Sequence, residues 1–202
     1  MTSDAAPAPA RARREQILAT AAELFAERGF HGVSVADLGA ACGVSGPALY
    51  KHFASKDAVL AEMLVSISEH LLAGGEERVA AADGPADAVR ALVDFHVAFA
   101  LDQPALIVVQ DRDWASLPAE ARERVRVLQR AYVEVWAAQL RALDTGLGAE
   151  ASRAAAHAAF GLVNSTPHSA RASRERMREL LAAMACRALG VAPAPAQVEM
   201  SG

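Results

Sequence analysis

SVADLGAACGVSGPALYKHFASK, residues 34–56, carries two helix starts separated by a turn signal. Ser34 has Asp37 three residues on, a short-acid capping box that starts a helix at Val35, and Val35, Leu38 and Ala41 give that helix an apolar face. Gly43 stands where the chain must turn sharply, because glycine takes a left-handed backbone without a Cβ clash. Val44 plugs the turn. Ser45 suits the N-cap of the next helix and Pro47 its first turn, where a missing N–H costs nothing. That helix is expected to run through Phe53, with Leu49 and Phe53 inward and Tyr50, Lys51 and His52 outward. Ser55 then caps a further helix from Lys56, with Asp57 near its positive end. Two short helices around a tight turn, followed by a third, have the layout of a helix-turn-helix.

Upstream, Ile17, Ala21, Leu24 and Phe25 recur at helical spacing between Arg13 and Arg28, and Gly29 marks the stop. Residues 1–10, mostly Ala and Pro, are expected to form a disordered arm. Its basic end, Arg11, Arg13 and Arg14, has two readings: contact with phosphates or a minor groove, or a solvated helix start.

Downstream, Leu60, Leu64, Ile67 and Leu71 stripe a helix over about 56–81, in which Gly74-Gly75 marks a bend or an end. Pro85, Pro104 and Pro118 each open another helix. The first holds Val89, Leu92, Val93, His96 and Ala100, the second Ile107 and Val108, and the third Val125, Leu128, Tyr132, Val135 and Trp136. Two more follow at about 149–164 and 173–189, separated by residues 165–169, where Ser-Thr before Pro167 disfavours continuation. No segment alternates with period two, so the expected fold is all-α with about nine helices and no sheet. The expected division is an arm (1–10), a three-helix head (11–55), a helical body (56–190) and a disordered tail (191–202).

A chain of 202 residues buries enough surface to need no staples. Cys42 and Cys186 are far apart and lack ligating neighbours, so neither a disulfide framework nor a metal site is expected, and a reducing cytoplasm fits. The N-terminus lacks signal-peptide features and no apolar run reaches the roughly 20 residues of a bilayer span, so a cytoplasmic protein with no membrane partner is expected. The net charge of −4 is uneven: residues 11–56 carry +2 and residues from Asp57 onward −5. A small basic head on an acidic body can hold a polyanion locally while the body discourages non-specific association.

FAERGF at 25–30, the capped start Ser34–Leu38, GVS at 43–45, LYKHF at 49–53 and Ser55-Lys56 together resemble the TetR/AcrR family of bacterial transcriptional regulators. The resemblance covers about residues 13–60; the remainder agrees only in being a helical body of suitable length. It implies double-stranded operator DNA as partner, with Ser34, Tyr50, His52 and Lys56 on the phosphate backbone, and base reading by the helix that starts at Ser45: Gly46, Pro47, Ala48 and Lys51. Gly46 and Ala48 bring no polar side chain, which leaves Lys51 to donate to guanine, with Pro47 and Ala48 meeting thymine methyl groups. Selectivity would then lean on DNA shape or on the arm.

In the body, Phe95, His96, Phe99, Trp114, Tyr132, Trp136, His157, Phe160 and Asn164 set aromatic and polar groups among small residues. Singly each reads as ordinary core; together they have the make-up of a ligand pocket, for a hydrophobic or amphipathic effector such as a lipid or acyl-thioester. Asp111, Arg112 and Asp113 stand open among a pocket mouth, an ion-paired helix end and plain surface. The resemblance also implies a homodimer through the last two helices, which would set two recognition helices roughly 34 Å apart on a palindrome. The function expected is a repressor released from its operator by ligand, with no cofactor. A helical enzyme or adaptor using the body cavity is the rival. Asp94 and His96 are two apart on a helix and cannot face each other, and no phosphate-binding glycine loop or nucleophile elbow is present, so an enzyme is not expected.

Overall fold

The computed structural model describes residues 8–44, 46–169 and 171–193. Among them the chain is helical without strands: α1 (Ala8–Arg28), α2 (Val35–Ala41), α3 (Gly46–Leu49), α4 (Lys56–Ala81), α5 (Pro85–Asp102), α6 (Pro104–Asp113), a 3-10 turn (Trp114–Ser116), α7 (Ala119–Leu143), α8 (Ala149–Val163), α9 (Thr166–Ser169) and α10 (Arg174–Ala188). The all-α expectation holds.

Several boundaries differ for local reasons. α1 begins at Ala8, inside the stretch expected as an arm; residues 1–7 lie outside the described residues, as does the tail beyond residue 193. α3 is a single turn that does not reach Phe53. Beyond Leu49 the backbone tightens, with Lys51 N–H on the Ala48 carbonyl and His52 N–H on that of Leu49. Only two residues then separate Phe53 from α4, whose first turn Ser55 caps by accepting from Ala58 N–H at 3.0 Å. α8 ends at Val163 as expected, and Pro167 falls in the first turn of α9.

The compact units cut across the linear division. One contains the chain up to Ile67 together with Ala105–Val125; the other contains Ser68–Pro104 and the chain from Arg126 onward. α6 and the 3-10 turn therefore group with the helix-turn-helix. In this first unit Ile17, Phe25, Leu38, Leu60 and Leu64 are buried together with Val109, Leu117 and Val125. In the second, α10 packs on α5 and α8, and the core comprises Leu92, Val93, Val97, Trp136, Ala156 and Ala185.

Gly74 and Gly75 do not end α4, which passes through both. A Cβ on Gly74 would lie 2.3 Å from the Phe95 ring, and one on Gly75 2.7 Å from that of Tyr132. The pair permits close approach of aromatic rings, which outweighs its weak helix propensity. α4 also meets the length and composition of a bilayer span, with mean hydropathy 1.3, where no such run was expected. A core helix meets the same test, and Val59, Leu60, Met63 and Leu64 of α4 are buried in protein.

Candidate functional site

The helix-turn-helix is built by caps. Ser34 accepts from Asp37 N–H at 3.1 Å while the Asp37 carboxylate accepts from Ser34 N–H at 2.8 Å, a complete capping box. The Ser34 hydroxyl, then its N–H, hold the Asp37 pKa below the ordinary carboxylate value. Gly43 has φ +65, and Val44 N–H closes the turn on the Gly39 carbonyl at 2.8 Å. Arg13 of α1 donates to the Cys42 carbonyl at 2.8 Å and fixes the same turn from below.

Ser45 lies outside the described residues. Gly46 and Pro47 open α3, Ala48 is half-buried, and Leu49 and Phe53 are buried as expected. Tyr50 is 55% exposed, Lys51 is exposed and His52 half-buried. These three form an outward face after α3. Lys56 does not belong to it. Its Nζ donates to the carbonyls of Phe30 and Val33, each at 2.7 Å, and sits 4.2 Å from the Phe30 ring centroid. The loop between α1 and α2 leaves those carbonyls without helical partners, and the ammonium satisfies them.

Two of the three basic residues at the end of the arm, Arg13 and Arg14, are likewise committed inward. Arg14 donates to both Glu62 carboxylate oxygens and to the His52 carbonyl, with its guanidinium 4.2 Å from the Phe53 ring centroid. Arg11 pairs with Glu15 at 3.1 Å on the surface. Sequence reading missed these roles, although a signal was available: Arg14 stands three residues before Ile17 and seven before Ala21, on the apolar face of α1. Arg112 is the second such case. It donates to the carbonyls of Phe25 and of Ala26, the latter at 3.0 Å, while Asp113, only 6% exposed, accepts from its Nε at 3.3 Å. Of the three readings of 111–113, the ion-paired helix end is the one met: Arg112 pairs with Asp113 at the end of α6 and caps the C-terminal carbonyls of α1, while Asp111 is exposed.

In the second unit the structure brings together His96, Phe99, Tyr132, Trp136, Phe160 and Asn164. Phe160 lies at the centre, its ring centroid 4.8 Å from His96, 5.0 Å from Trp136 and 5.5 Å from Tyr132, with which it stacks. His96 contacts Phe99 at 5.7 Å. Its Nε2 donates to Asn164 Oδ1 at 3.1 Å, since an amide oxygen can only accept, and its Nδ1 accepts from the Tyr132 hydroxyl at 3.3 Å. Burial lowers the His96 pKa to about 4, against a smaller opposing effect of Asn164, and raises that of Tyr132, so both are neutral. Trp136 Nε1 is buried near the Tyr132 hydroxyl but outside hydrogen-bond geometry, and has no acceptor. The rings pack directly on one another around neutral polar groups that bond among themselves.

The other expected pocket residues stand apart. Phe95 packs against Gly74 and His70, with Arg78 4.0 Å from its ring centroid. Trp114 groups with the helix-turn-helix unit, because α6 and the 3-10 turn do. His157 is exposed on α8, where it borders a hollow of about 520 Å³ and reaches Phe160 at 6.2 Å. Among the described residues no group of three or more His, Cys, Asp or Glu is placed to hold a metal ion.

Residues 17–63 match the family described as bacterial regulatory proteins, tetR family, and residues 82–168 the tetracyclin repressor-like C-terminal domain. The chain is similar to the transcriptional activator FasR of Mycolicibacterium smegmatis, with 29% identity over 81% of this chain and 73% of that protein. Among solved structures it resembles the TetR family regulator PfmR from Thermus thermophilus: TM-score 0.75, 29% identity, 87% of this chain and 97% of that one. It also has the fold of AibR, solved with isovaleryl coenzyme A and operator DNA: TM-score 0.66, 23% identity, 85% of this chain and 97% of that one.

Proposed function

This chain belongs to the TetR family of bacterial regulatory proteins, and on that premise we propose that it is a homodimeric repressor, released from a palindromic operator when an apolar or amphipathic effector enters the second unit. Ligand-responsive DNA binding comes with the family. The observation that carries it is the capped helix-turn-helix, with Tyr50 and Lys51 exposed and Arg13, Arg14 and Lys56 consumed in holding it rigid.

In this reading Tyr50 and His52 hold phosphate and Lys51 reads a base, with Ser34 at the start of α2 beside the backbone. Lys56 acts by fixing the loop before α2. DNA as partner places the protein in the cytoplasm. The dimer is supported by exposed small residues on α8, Ala154, Ala158 and Gly161, and by exposed apolar side chains on α10, Leu180 and Met184, 47% and 43% exposed. Small side chains there permit close helix approach. The chain crosses between the units three times, within α4, after the first residue of α6 and within α7. A ligand with unequal affinity for two arrangements of these crossings would shift the spacing of the two heads.

Selection of bound duplexes from a random pool tests the reading. A recovered palindrome, bound by a dimer, is the expected result, and a promoter fusion that rises with effector marks repression. Unenriched DNA overturns DNA recognition, and a fusion that falls with effector assigns an activator. Lys51→Ala is expected to lower discrimination at one base by about 1–3 kcal/mol, measured on cognate against scrambled duplex.

A further inference from the structure

The loop between α1 and α2, residues 29–33, sets where the capped start of α2 stands, because it alone joins Arg28 to the Ser34 N-cap. It is held from three other places. From α4, Lys56 Nζ donates to the carbonyls of Phe30 and Val33, each at 2.7 Å. From the end of α6, Arg112 donates to the Ala26 carbonyl at 3.0 Å and to that of Phe25, which also accepts from Gly29 N–H at 2.8 Å. From the 3-10 turn, the Ser116 hydroxyl shares a hydrogen bond of 2.9 Å with His31 Nε2. Phe30, in the middle of these anchors, is buried edge-on to Phe25 with centroids 5.4 Å apart. The far end of α2 is fixed separately, by Arg13 on the Cys42 carbonyl.

Arg112 is itself aimed. Both oxygens of the buried Asp113 carboxylate accept from its guanidinium, Oδ1 from Nε at 3.3 Å and Oδ2 from Nη2 at 3.2 Å. A planar fork held on one side by a carboxylate presents its other N–H groups in a fixed direction, here the last turn of α1. By sequence Arg112, Asp113 and Ser116 fall within the stretch matched to the C-terminal domain, residues 82–168, yet by packing they group with the helix-turn-helix. Pro104 groups with the other unit and Ala105 onward with this one, so the helix that holds the loop is the one on which the chain arrives from the second unit.

We propose that Arg112, aimed by Asp113 and assisted by Ser116, is a positioning residue for DNA recognition. It fixes the α1–α2 loop, and with it the pose of α2 and α3, so that discrimination by the outward face at Tyr50 and Lys51 depends on a side chain that does not itself touch DNA. Removing it leaves the phosphate-holding and base-reading groups in the chain but loosens their common frame. The loss then falls on cognate sequence, where register and angle must be right, more than on non-specific binding, which positive charge near phosphate supplies in many poses. The proposal rests on DNA recognition by the helix-turn-helix and is independent of the effector, the dimer and the sign of regulation.

Two variants test it. Arg112→Ala/Asp113→Ala removes the cation together with its buried carboxylate and so leaves no unpaired buried charge, and Ser116→Ala removes one half-exposed hydroxyl. Each is compared with the native chain on the selected operator and on a scrambled duplex, below its melting temperature. In the double variant, operator affinity should fall about tenfold while affinity for the scrambled duplex stays within about twofold, a range reached by residues that modulate binding without contacting the ligand. Ser116→Ala should show a smaller loss, also confined to the operator. Amide exchange should quicken over residues 29–41 and stay unchanged in α5 and α8.

Equal losses on the two duplexes would reduce Arg112 to a purely structural role and overturn the proposal, as would unchanged exchange over residues 29–41. The salt dependence of binding should match that of the native chain; a slope lowered by about 1 would make Arg112 a phosphate contact and overturn the positioning role. Should the double variant not fold, Ser116→Ala decides, with native discrimination between the duplexes overturning the proposal. Absence of any selected operator removes DNA recognition and this role with it, whereas a selected operator bound equally well by both variants removes only the role.

Discussion

The two compact units solve the same problem, satisfying polar groups around a helical core, in opposite ways. In the unit containing the helix-turn-helix, long cationic side chains donate to backbone carbonyls. Arg13 reaches Cys42, Arg14 His52, Lys56 Phe30 and Val33, Arg112 Phe25 and Ala26, and Arg122 Ala115 and Leu117. In the other unit the buried polar groups are neutral, His96, Tyr132 and Asn164 bonding one another, and the aromatic cluster packs without a buried charge. Helix length explains the contrast. α2 and α3 have seven and four residues, so most of their length is termini, whose carbonyls lack intrahelical partners. α5, α7, α8 and α10 have 18, 25, 15 and 15 residues and leave few such groups per residue. Short helices that must be held rigid need donors from elsewhere, and only Arg and Lys reach far enough.

The contrast can be broken first at the neutral cluster. The folded pKa of His96, about 4, lies below its unfolded value of 6.5, so the unfolded chain takes up the proton first as pH falls. Stability from this group is complete above pH 6.5 and is lost between there and pH 4, by about 3 kcal/mol in all. Urea melts of the native chain and of His96→Gln, run from pH 7 to pH 4, should show that slope reduced in the variant. Equal slopes would mean the cluster is not held neutral.

Next comes the cationic unit. Lys56→Met keeps the aliphatic stem and removes both carbonyl bonds and the contact with the Phe30 ring, and is expected to cost about 2–3 kcal/mol. A lower melting temperature, with DNA affinity restored on cooling, would confirm a role in rigidity. Undiminished stability with uniformly weaker DNA binding would return Lys56 to the phosphate backbone.

Smaller effects sharpen the picture. Gly75→Ala gains helix propensity of about 1 kcal/mol but drives a methyl group into the Tyr132 ring, which His96 and Phe160 hold in place. Overpacking of this kind costs about 1–3 kcal/mol, so a net loss of about 1 kcal/mol is expected by thermal melting. A gain would show that the ring yields. Ser34→Ala removes one side of the capping box and should cost about 1 kcal/mol, read as faster amide exchange in α2.

Local chemistry made much of this legible in the sequence. Residues 34–56 dictated the cap at Ser34, the left-handed Gly43, the cap at Ser55 and the inward Leu49 and Phe53, because each depends on neighbours within four positions. Proline placed the starts of α5, α6 and α7 for the same reason. His96, Phe99, Tyr132, Trp136, Phe160 and Asn164 were identifiable as candidates from composition, though Phe95, Trp114 and His157 looked equivalent to them.

Only the tertiary structure decided which partners those residues found. That Lys56 and Arg14 serve carbonyls, that Arg112 caps α1 from 86 and 87 positions away, and that Gly74 and Gly75 receive aromatic rings depend on chain segments far apart in sequence. A long cation on an exposed-looking helix has the same sequence signature whether it meets phosphate, carboxylate or a stranded carbonyl. Which one it meets is fixed by the ends of other helices, and the local sequence does not specify where those come to rest.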